Sequence, residues 1–188
     1  NQAAYFWLLH TQASWQHVVE KDYDKSIELN KHVLEHAYSL DPVLYYKAKS
    51  GLTFSKPLAP KQKIKDFLEF GNALVEAGDA YEAFRSFIEA AKCYLDIAKQ
   101  QGVNELGFAS LEQASQAAGD ALQISQEIGY LNIEVIASEV LERICAERLE
   151  KFTTLKKRLR KNKMECTTEL DRIYQQEQKR IEADRQRQ

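Results

Sequence analysis

Two histidines and a glutamate lie close together in the segment His32-Val33-Leu34-Glu35-His36. On a helix, residues four apart share a face, so His32 and His36 could both ligate one zinc ion. Glu35 would then lie beside them as a general base for a zinc-dependent hydrolase. A third ligand would have to come from a distant segment, with Glu105 or Glu112 as candidates. The alternative is that the segment is only the polar face of a helix, and short patterns of this kind arise easily by chance, so no metal is favoured.

A second chemically distinctive segment is strongly basic. Residues 151–163, KFTTLKKRLRKNK, contain seven basic residues and none of the chain's 28 acidic ones. Such a run could bind phosphates or an acidic protein surface. On a helix, however, its charges project in all directions, and no aromatic residues interleave to stack bases. A solvated helix or an acidic protein partner is therefore favoured over nucleic acid or an acidic membrane. The candidate contact residues are Lys156, Lys157, Arg158, Arg160, Lys161 and Lys163.

Other functional patterns are weak. No nucleophile–base–acid set, phosphate-binding loop or cluster of metal-spaced cysteines is present, so the sequence indicates neither an enzyme nor a cofactor. The three cysteines, at positions 93, 145 and 166, are odd in number and widely spaced, which favours reduced thiols in a cytoplasmic protein. Because the first residue is Asn, we expect a piece of a longer chain or a processed product. Tyrosines could line a peptide groove, although aromatics at helical spacing more often pack in a core: Tyr45, Tyr46, Tyr81 and Tyr94.

The elements that carry these residues are predicted to be helices, because the chain has only 7 Gly and 3 Pro and no strand-like alternation. Residues 2–20 form the first predicted helix, and a second runs to about Leu40 before Asp41-Pro42. A short helix over 43–49 and a connecting loop over 50–61 follow, since the loop region contains two Pro and a Gly. The first helix is indicated by apolar residues that recur at helical intervals: Tyr5, Leu8, Leu9, Trp15, Val18 and Val19.

The segment Phe67 to Ala91 predicts two helices joined by a tight turn. Apolar residues recur at helical spacing on both sides of Ala77-Gly78-Asp79, where Gly78 can end one helix and Asp79 can cap the next. This segment resembles a tetratricopeptide repeat, a helix–turn–helix unit of about 34 residues. The long following helix is similar to the longer-helix members of that superfamily. The matching skeleton consists of Phe67, Phe70, Gly71, Gly78, Asp79, Ala83, Phe87 and Ala90.

The resemblance implies antiparallel helix pairs arranged in a short right-handed superhelix that binds other proteins. Residues 2–40 would be a degenerate first repeat, with Tyr23 and Ser26 at the matching positions. In that family the first helix of each pair lines the concave surface. The partner-binding candidates on this basis are Lys65, Asn72 and Glu76, and Asn72 lies where the family often has an Asn that bonds ligand backbone.

The C-terminal third is predicted to be two helices. The first covers about 105–128 with Gly119 in its interior, and the second runs from Leu131 without a break to the C-terminus. At about 1.5 Å per residue, a helix of about 55 residues would be about 80 Å long. Residues 1–150 would then be the helical domain, and residues 151–188 an exposed or coiled-coil-like extension. The predicted buried stripe of the helix that begins at Leu131 is Ile133, Ile136, Val140, Leu141, Ile144 and Leu149.

The sequence therefore predicts an all-α protein–protein interaction module: an adaptor, a scaffold or assembly subunit, or the sensing part of a longer chain. The expected partner is a protein with an acidic surface or peptide, and assembly through the C-terminal helix is a further expectation. The alternatives are a zinc-dependent hydrolase at His32, Glu35 and His36, and a basic helix that binds nucleic acid or acidic membrane.

Overall fold

The computed structural model describes residues 2–161 and 168–187. In those residues the chain forms eight α-helices and no strand, so the predicted all-α class is confirmed. None of these helices is both long and apolar enough to cross a membrane. The π-helical turn Gln16–Glu20 continues the first helix. The helices are α1 (Gln2–Trp15), α2 (Tyr23–Ala37), α3 (Pro42–Ser55), α4 (Pro60–Glu76), α5 (Ala80–Gln101), α6 (Glu105–Ile128), α7 (Leu131–Lys161) and α8 (Thr168–Arg187).

Local capping chemistry explains where several helices begin. Asp22, Asp41, Asp79 and Asn104 each precede a helix, and each side chain accepts a hydrogen bond from the backbone amide three residues later. These bonds satisfy amides that have no partner within the helix. Gly78 has φ of +82°, which residues with a Cβ rarely adopt, and it ends α4. The predicted hairpin of α4 and α5 is therefore present, with its turn at Gly78 and Asp79.

The α4–α5 hairpin is held by close packing of a small residue against a large one. A Cβ added at Gly71 would lie 3.0 Å from the Phe87 ring, so a larger residue there would require the ring to shift by a few tenths of an ångström. Phe67, Leu74 and Phe84 are buried in the same cluster. This cluster extends through α6 and α7 to α8, whereas a smaller one joins α1, α2 and α3.

Successive helices pack against each other through short connections, which makes neighbours antiparallel. In addition, α1 contacts α3, and α5 contacts α7. Side chains of α3 also reach the start of α5, where the Lys47 amine lies 3.2 Å from an Asp79 oxygen. The odd-numbered helices therefore form a row of neighbours, and we call the surface formed by α1, α3 and α5 the cavity face.

The apolar residues that indicated the first helix are mostly exposed. Tyr5, Leu8, Trp15, Val18 and Val19 are 51% to 69% exposed, whereas the buried residues of α1 are Phe6 and Ala13. Apolar residues occur on every side of this helix, so their spacing does not identify the face that packs against α2 and α3. The second helix also ends earlier than predicted, at Ala37 and not at Leu40.

The predicted short helix over 43–49 and loop over 50–61 are also wrong. Helix α3 continues to Ser55 and α4 begins at Pro60, which leaves residues 56–59 as the connection. Gly51 lies inside this helix, where its missing Cβ leaves room for Asn30: a Cβ there would lie 2.7 Å from the Asn30 side-chain nitrogen. The following residues Leu52 and Thr53 are buried, which stabilises the helical turn that contains them.

The predicted single C-terminal helix is wrong for residues 168–187. These residues form α8, which packs back against α7 and is not an exposed extension. The rings of Phe152 and Tyr174 stack with centroids 5.1 Å apart, and Ile173 is 4% exposed. Helix α7 continues through residue 150, as the prediction of an extended last helix requires, and continuity through 162–167 lies outside the described residues. Of the predicted α7 stripe, Ile136 and Leu149 are exposed.

Candidate functional site

The partner-binding residues predicted on α4 lie together on the protein surface. Lys65, Asn72 and Glu76 are exposed and are spaced seven and four residues apart, so they share one stripe of the helix. None of them lines the cavity described next.

A polar cavity of about 270 Å³ opens on the cavity face, where α1, its π-helical turn, α2, α3 and α5 meet. The base of this cavity is a hydrogen-bonded set of polar side chains. The His10 Nδ1 atom lies 3.1 Å from Asn30 Oδ1, and the Asn30 amide donates to the Ser26 carbonyl. Ser26 and Asn30 are each at most 1% exposed. Burial of these groups is tolerable because each has a partner.

A second set of hydrogen bonds joins the π-helical turn to α2 and α3. The His17 Nδ1 atom lies 2.9 Å from the Ser55 hydroxyl, which is also 3.2 Å from the Ser26 hydroxyl. Ser55 donates its own proton to the Gly51 carbonyl. Because that proton is directed to a backbone carbonyl, His17 does not act on Ser55 as a base, and this pair is not arranged as a nucleophile and its activator.

Charged side chains from α3 and α5 form one rim of the cavity. The Lys47 amine lies 3.2 Å from Asp79 and 3.7 Å from Glu82, and the Arg85 Nη1 atom donates to both Glu82 oxygens at 3.0 and 3.1 Å. Arg85 also lies over the Phe54 ring, 5.6 Å from its centroid. Glu82 is therefore neutralised by two cations, and Arg85 is held at the opening while remaining accessible to solvent.

Burial and nearby cations both act on the two histidines of the cavity. Burial lowers the pKa of His17 below its ordinary value of 6.5, and Lys21, Arg85 and Lys63 lower it further. Burial likewise lowers the pKa of His10. Both imidazoles are thus held neutral more strongly than usual, and three cations act on the same position.

The His32, Glu35 and His36 side chains are close together, as their spacing predicts. The His32 Nδ1 atom lies 3.6 Å from a Glu35 oxygen, and all three residues are exposed. The distant ligand candidates are engaged elsewhere, since Glu105 accepts a hydrogen bond from Arg172 and Glu112 accepts one from Arg148. Neither supplies a third ligand.

The residues of the predicted basic segment differ in their exposure to solvent. Lys151 is buried and donates to the Gly102 carbonyl at 2.8 Å, so it joins α7 to the α5–α6 connection. Lys157 and Arg158 are exposed, and Lys156 is half-buried. The side chains of Arg160 and Lys161, and the whole of Lys163, lie outside the described residues.

The tyrosines considered for a groove do not line the cavity. Tyr45 and Tyr46 pack against each other with ring centroids 5.3 Å apart, and the Lys49 amine lies over both rings. Tyr81 is exposed and Tyr94 is half-buried.

The cavity residues were missed from the sequence because they come from helices far apart in the chain. One signal was nevertheless present on α2. Ser26, Asn30, Val33 and Ala37 occupy one helical stripe, and all four are buried. Two polar residues in an otherwise apolar stripe indicate a buried hydrogen-bonded network.

Comparisons with protein families, curated proteins and solved structures found no match to this chain.

Proposed function

We propose that this chain is a protein-interaction module whose cavity face binds an extended segment of a partner protein. One aspartate or glutamate of that segment enters the polar cavity. Within this proposal the chain acts as an adaptor, an assembly subunit or the sensing part of a longer protein, and its helix pairs are arranged like tetratricopeptide repeats.

The observation that carries the proposal is the accessible Arg85 guanidinium, which lies at the opening of the cavity beside neutral polar groups. Lys21, Lys63 and Arg85 all act on His17, and the rim acid Glu82 is already paired with two cations. In the described part of the chain, the hydrogen bonds of Arg85 use only its Nη1 atom. A carboxylate could therefore accept charge-assisted hydrogen bonds from the rest of the guanidinium.

The size of the cavity favours a side chain over a cofactor. Its volume of about 270 Å³ is below the roughly 300–1,000 Å³ that is typical of small-molecule pockets. The surrounding row of helices provides a surface along which the rest of a peptide could lie. Binding, not catalysis, is proposed because the hydrogen-bonded pair of His17 and Ser55 beside the cavity is not arranged for nucleophilic attack.

The test uses peptides selected from a random display library on the immobilised chain. Fluorescence anisotropy would compare a selected peptide that contains Asp or Glu with its Asn or Gln counterpart, on the natural chain and on Arg85→Ala. Loss of a charged hydrogen bond costs about 1.5–3 kcal/mol, so we expect about a ten- to hundredfold weaker affinity from either change. The Arg85 side chain is 45% exposed, and Glu82 keeps Lys47 as a partner, so the variant should stay folded.

Matched controls distinguish the cavity face from the other two candidate surfaces. Arg143→Ala removes an exposed arginine from α7 and should leave affinity unchanged. The α4 triple variant Lys65→Ala, Asn72→Ala and Glu76→Ala should also bind normally. Affinity that survives Arg85→Ala but is lost in the α4 variant would reject the cavity face in favour of the predicted stripe. Affinity lost only on Lys157→Ala with Arg158→Ala would assign binding to the basic segment.

A further inference from the structure

The exposed face of α2 carries a cluster of metal-ligating side chains that is separate from the cavity. His32 and His36 lie one helical turn apart with ring centroids separated by 5.5 Å. The candidate ligand atoms of His32, Glu35 and His36 all lie within 4.8 Å of one another. These side chains are exposed, so small rotations can bring two imidazole nitrogens and one carboxylate oxygen to a common ion.

Helix α1 restricts the orientation of the two imidazole rings. Phe6 is 7% exposed and stacks on His36 with centroids 5.2 Å apart and an angle of 25° between the rings. The same phenyl ring meets the edge of His32 at 6.0 Å. Because these contacts limit rotation of both imidazoles, less side-chain entropy is lost when a metal orders them.

We propose that His32, Glu35 and His36 form a binding site for one divalent transition-metal ion of the zinc type. Two imidazoles and one carboxylate suit Zn²⁺, Ni²⁺ or Cu²⁺, whereas Mg²⁺ and Ca²⁺ prefer oxygen ligands throughout. The ion replaces the existing contact between His32 and Glu35. Three protein ligands leave at least one zinc coordination position for water or for a side chain of a bound protein.

This proposal concerns binding alone and is independent of the cavity. The shallow depression beside the cluster is lined by Gln2, Tyr5, Ser39 and Leu40 in addition to Phe6 and the three ligands. In this depression none of the added residues is a charged group that would compete for the ion.

The experiment is isothermal titration calorimetry with Zn²⁺. It compares the natural chain with a double variant that carries His32→Ala and His36→Ala. We expect saturable binding of one ion per chain. The double variant should bind more than about tenfold more weakly, since even changes outside the ligand set cost about 10–100-fold in metal affinity. Glu35→Gln should weaken binding by less than the double variant, because both imidazoles remain. Mg²⁺ should give no saturable signal.

The chain offers a matched control, because its other two histidines, His10 and His17, lie in the cavity. His17→Gln should bind Zn²⁺ as tightly as the natural chain. Equal affinity in the natural chain and the double variant would overturn the proposal, as would the absence of saturable binding.

A second readout locates the ion. Addition of Cu²⁺ during nuclear magnetic resonance measurements should first broaden the backbone signals of Phe6 and of residues 32–36. Broadening centred on His10 and His17 would place the ion in the cavity and reject the site on α2.

Discussion

Replacement of Arg148 by methionine should strongly weaken the docking of α8. The Arg148 side chain is 4% exposed and joins three helices. Its Nη1 atom donates to Asp184 of α8 at 3.0 Å, and its Nη2 atom donates to Glu112 of α6 at 3.1 Å. Its Nε atom lies 3.6 Å from Glu177, whose side chain is 1% exposed. Arg148→Met would leave that buried carboxylate with one cation, Arg180.

The expected cost follows from the exposure of each partner. Glu112 and Asp184 are 52% and 32% exposed, so water compensates much of what they lose. Breaking a buried ion pair costs about 3–5 kcal/mol when one charge stays behind. Because Arg180 still donates to Glu177 at 2.7 Å, we expect the lower end, about 3 kcal/mol. With a urea m-value of about 2 kcal/mol/M, the unfolding midpoint would fall by about 1.5 M.

Equilibrium urea unfolding followed by circular dichroism measures this shift, and a double-mutant cycle identifies its cause. Arg148→Met with Glu177→Met removes both buried charges and should recover most of the loss. The exposed arginine Arg143, replaced by methionine, is the control and should change stability by no more than about 0.5 kcal/mol. A similarly small effect of Arg148→Met, or simple addition of the two single effects, would refute the described docking.

Three further predictions concern packing and protonation. Gly71→Ala should destabilise the chain by about 1–3 kcal/mol, because the added Cβ would press on Phe87. A Cβ at Gly119 meets nothing within 4 Å, so Gly119→Ala should stabilise α6 by about 0.5–1 kcal/mol. Urea unfolding measures both changes, and equal effects of the two variants would contradict the packing. Burial raises the pKa of Glu177 above its ordinary value of 4.5. The contribution of Glu177 to stability is therefore present below pH 4.5 and is lost as the pH rises through the raised pKa. Glu177→Gln should remove this part of the pH dependence of the unfolding midpoint, and an unchanged slope would contradict the prediction. Burial, and to a lesser extent nearby cations, lowers the pKa of His17, and a bound carboxylate would raise that pKa again. Peptide affinity should therefore increase as the pH falls below neutral. In anisotropy titrations, His17→Asn should abolish this pH dependence.

The α4–α5 hairpin could be predicted because its determinants are local. Gly78 and Asp79 supply the turn and the cap, and Gly71 lies opposite Phe87 within 16 residues of sequence. Helix α6 could be predicted for the same reason, since the interior Gly119 costs only about 1 kcal/mol relative to alanine.

The packing of α8 against α7 could not be predicted, because it depends on contacts between distant residues. No Gly or Pro follows Gly129 to mark a break. The ion pairs of Arg148 with Glu177 and Asp184 become visible only when α7 and α8 are placed together.

The candidate cavity could not be predicted for the same reason, since it also depends on contacts between distant residues. Its charged rim joins Lys47 and Arg85, which are 38 residues apart, and its base joins His10 to Asn30 on different helices. Residue spacing within one helix predicted the histidine cluster, and the resemblance to a tetratricopeptide repeat nominated the α4 stripe; both are properties of a single helix. A cavity between helices requires their packing.

The most direct test of the proposed function is a nitrogen–proton correlation spectrum of the labelled chain during titration with a selected acidic peptide. Binding at the cavity face predicts the largest shifts at His10, Lys47 and Arg85, with Lys65 and Glu76 unchanged. Shifts confined to the α4 stripe, with the cavity signals unmoved, would contradict the proposal.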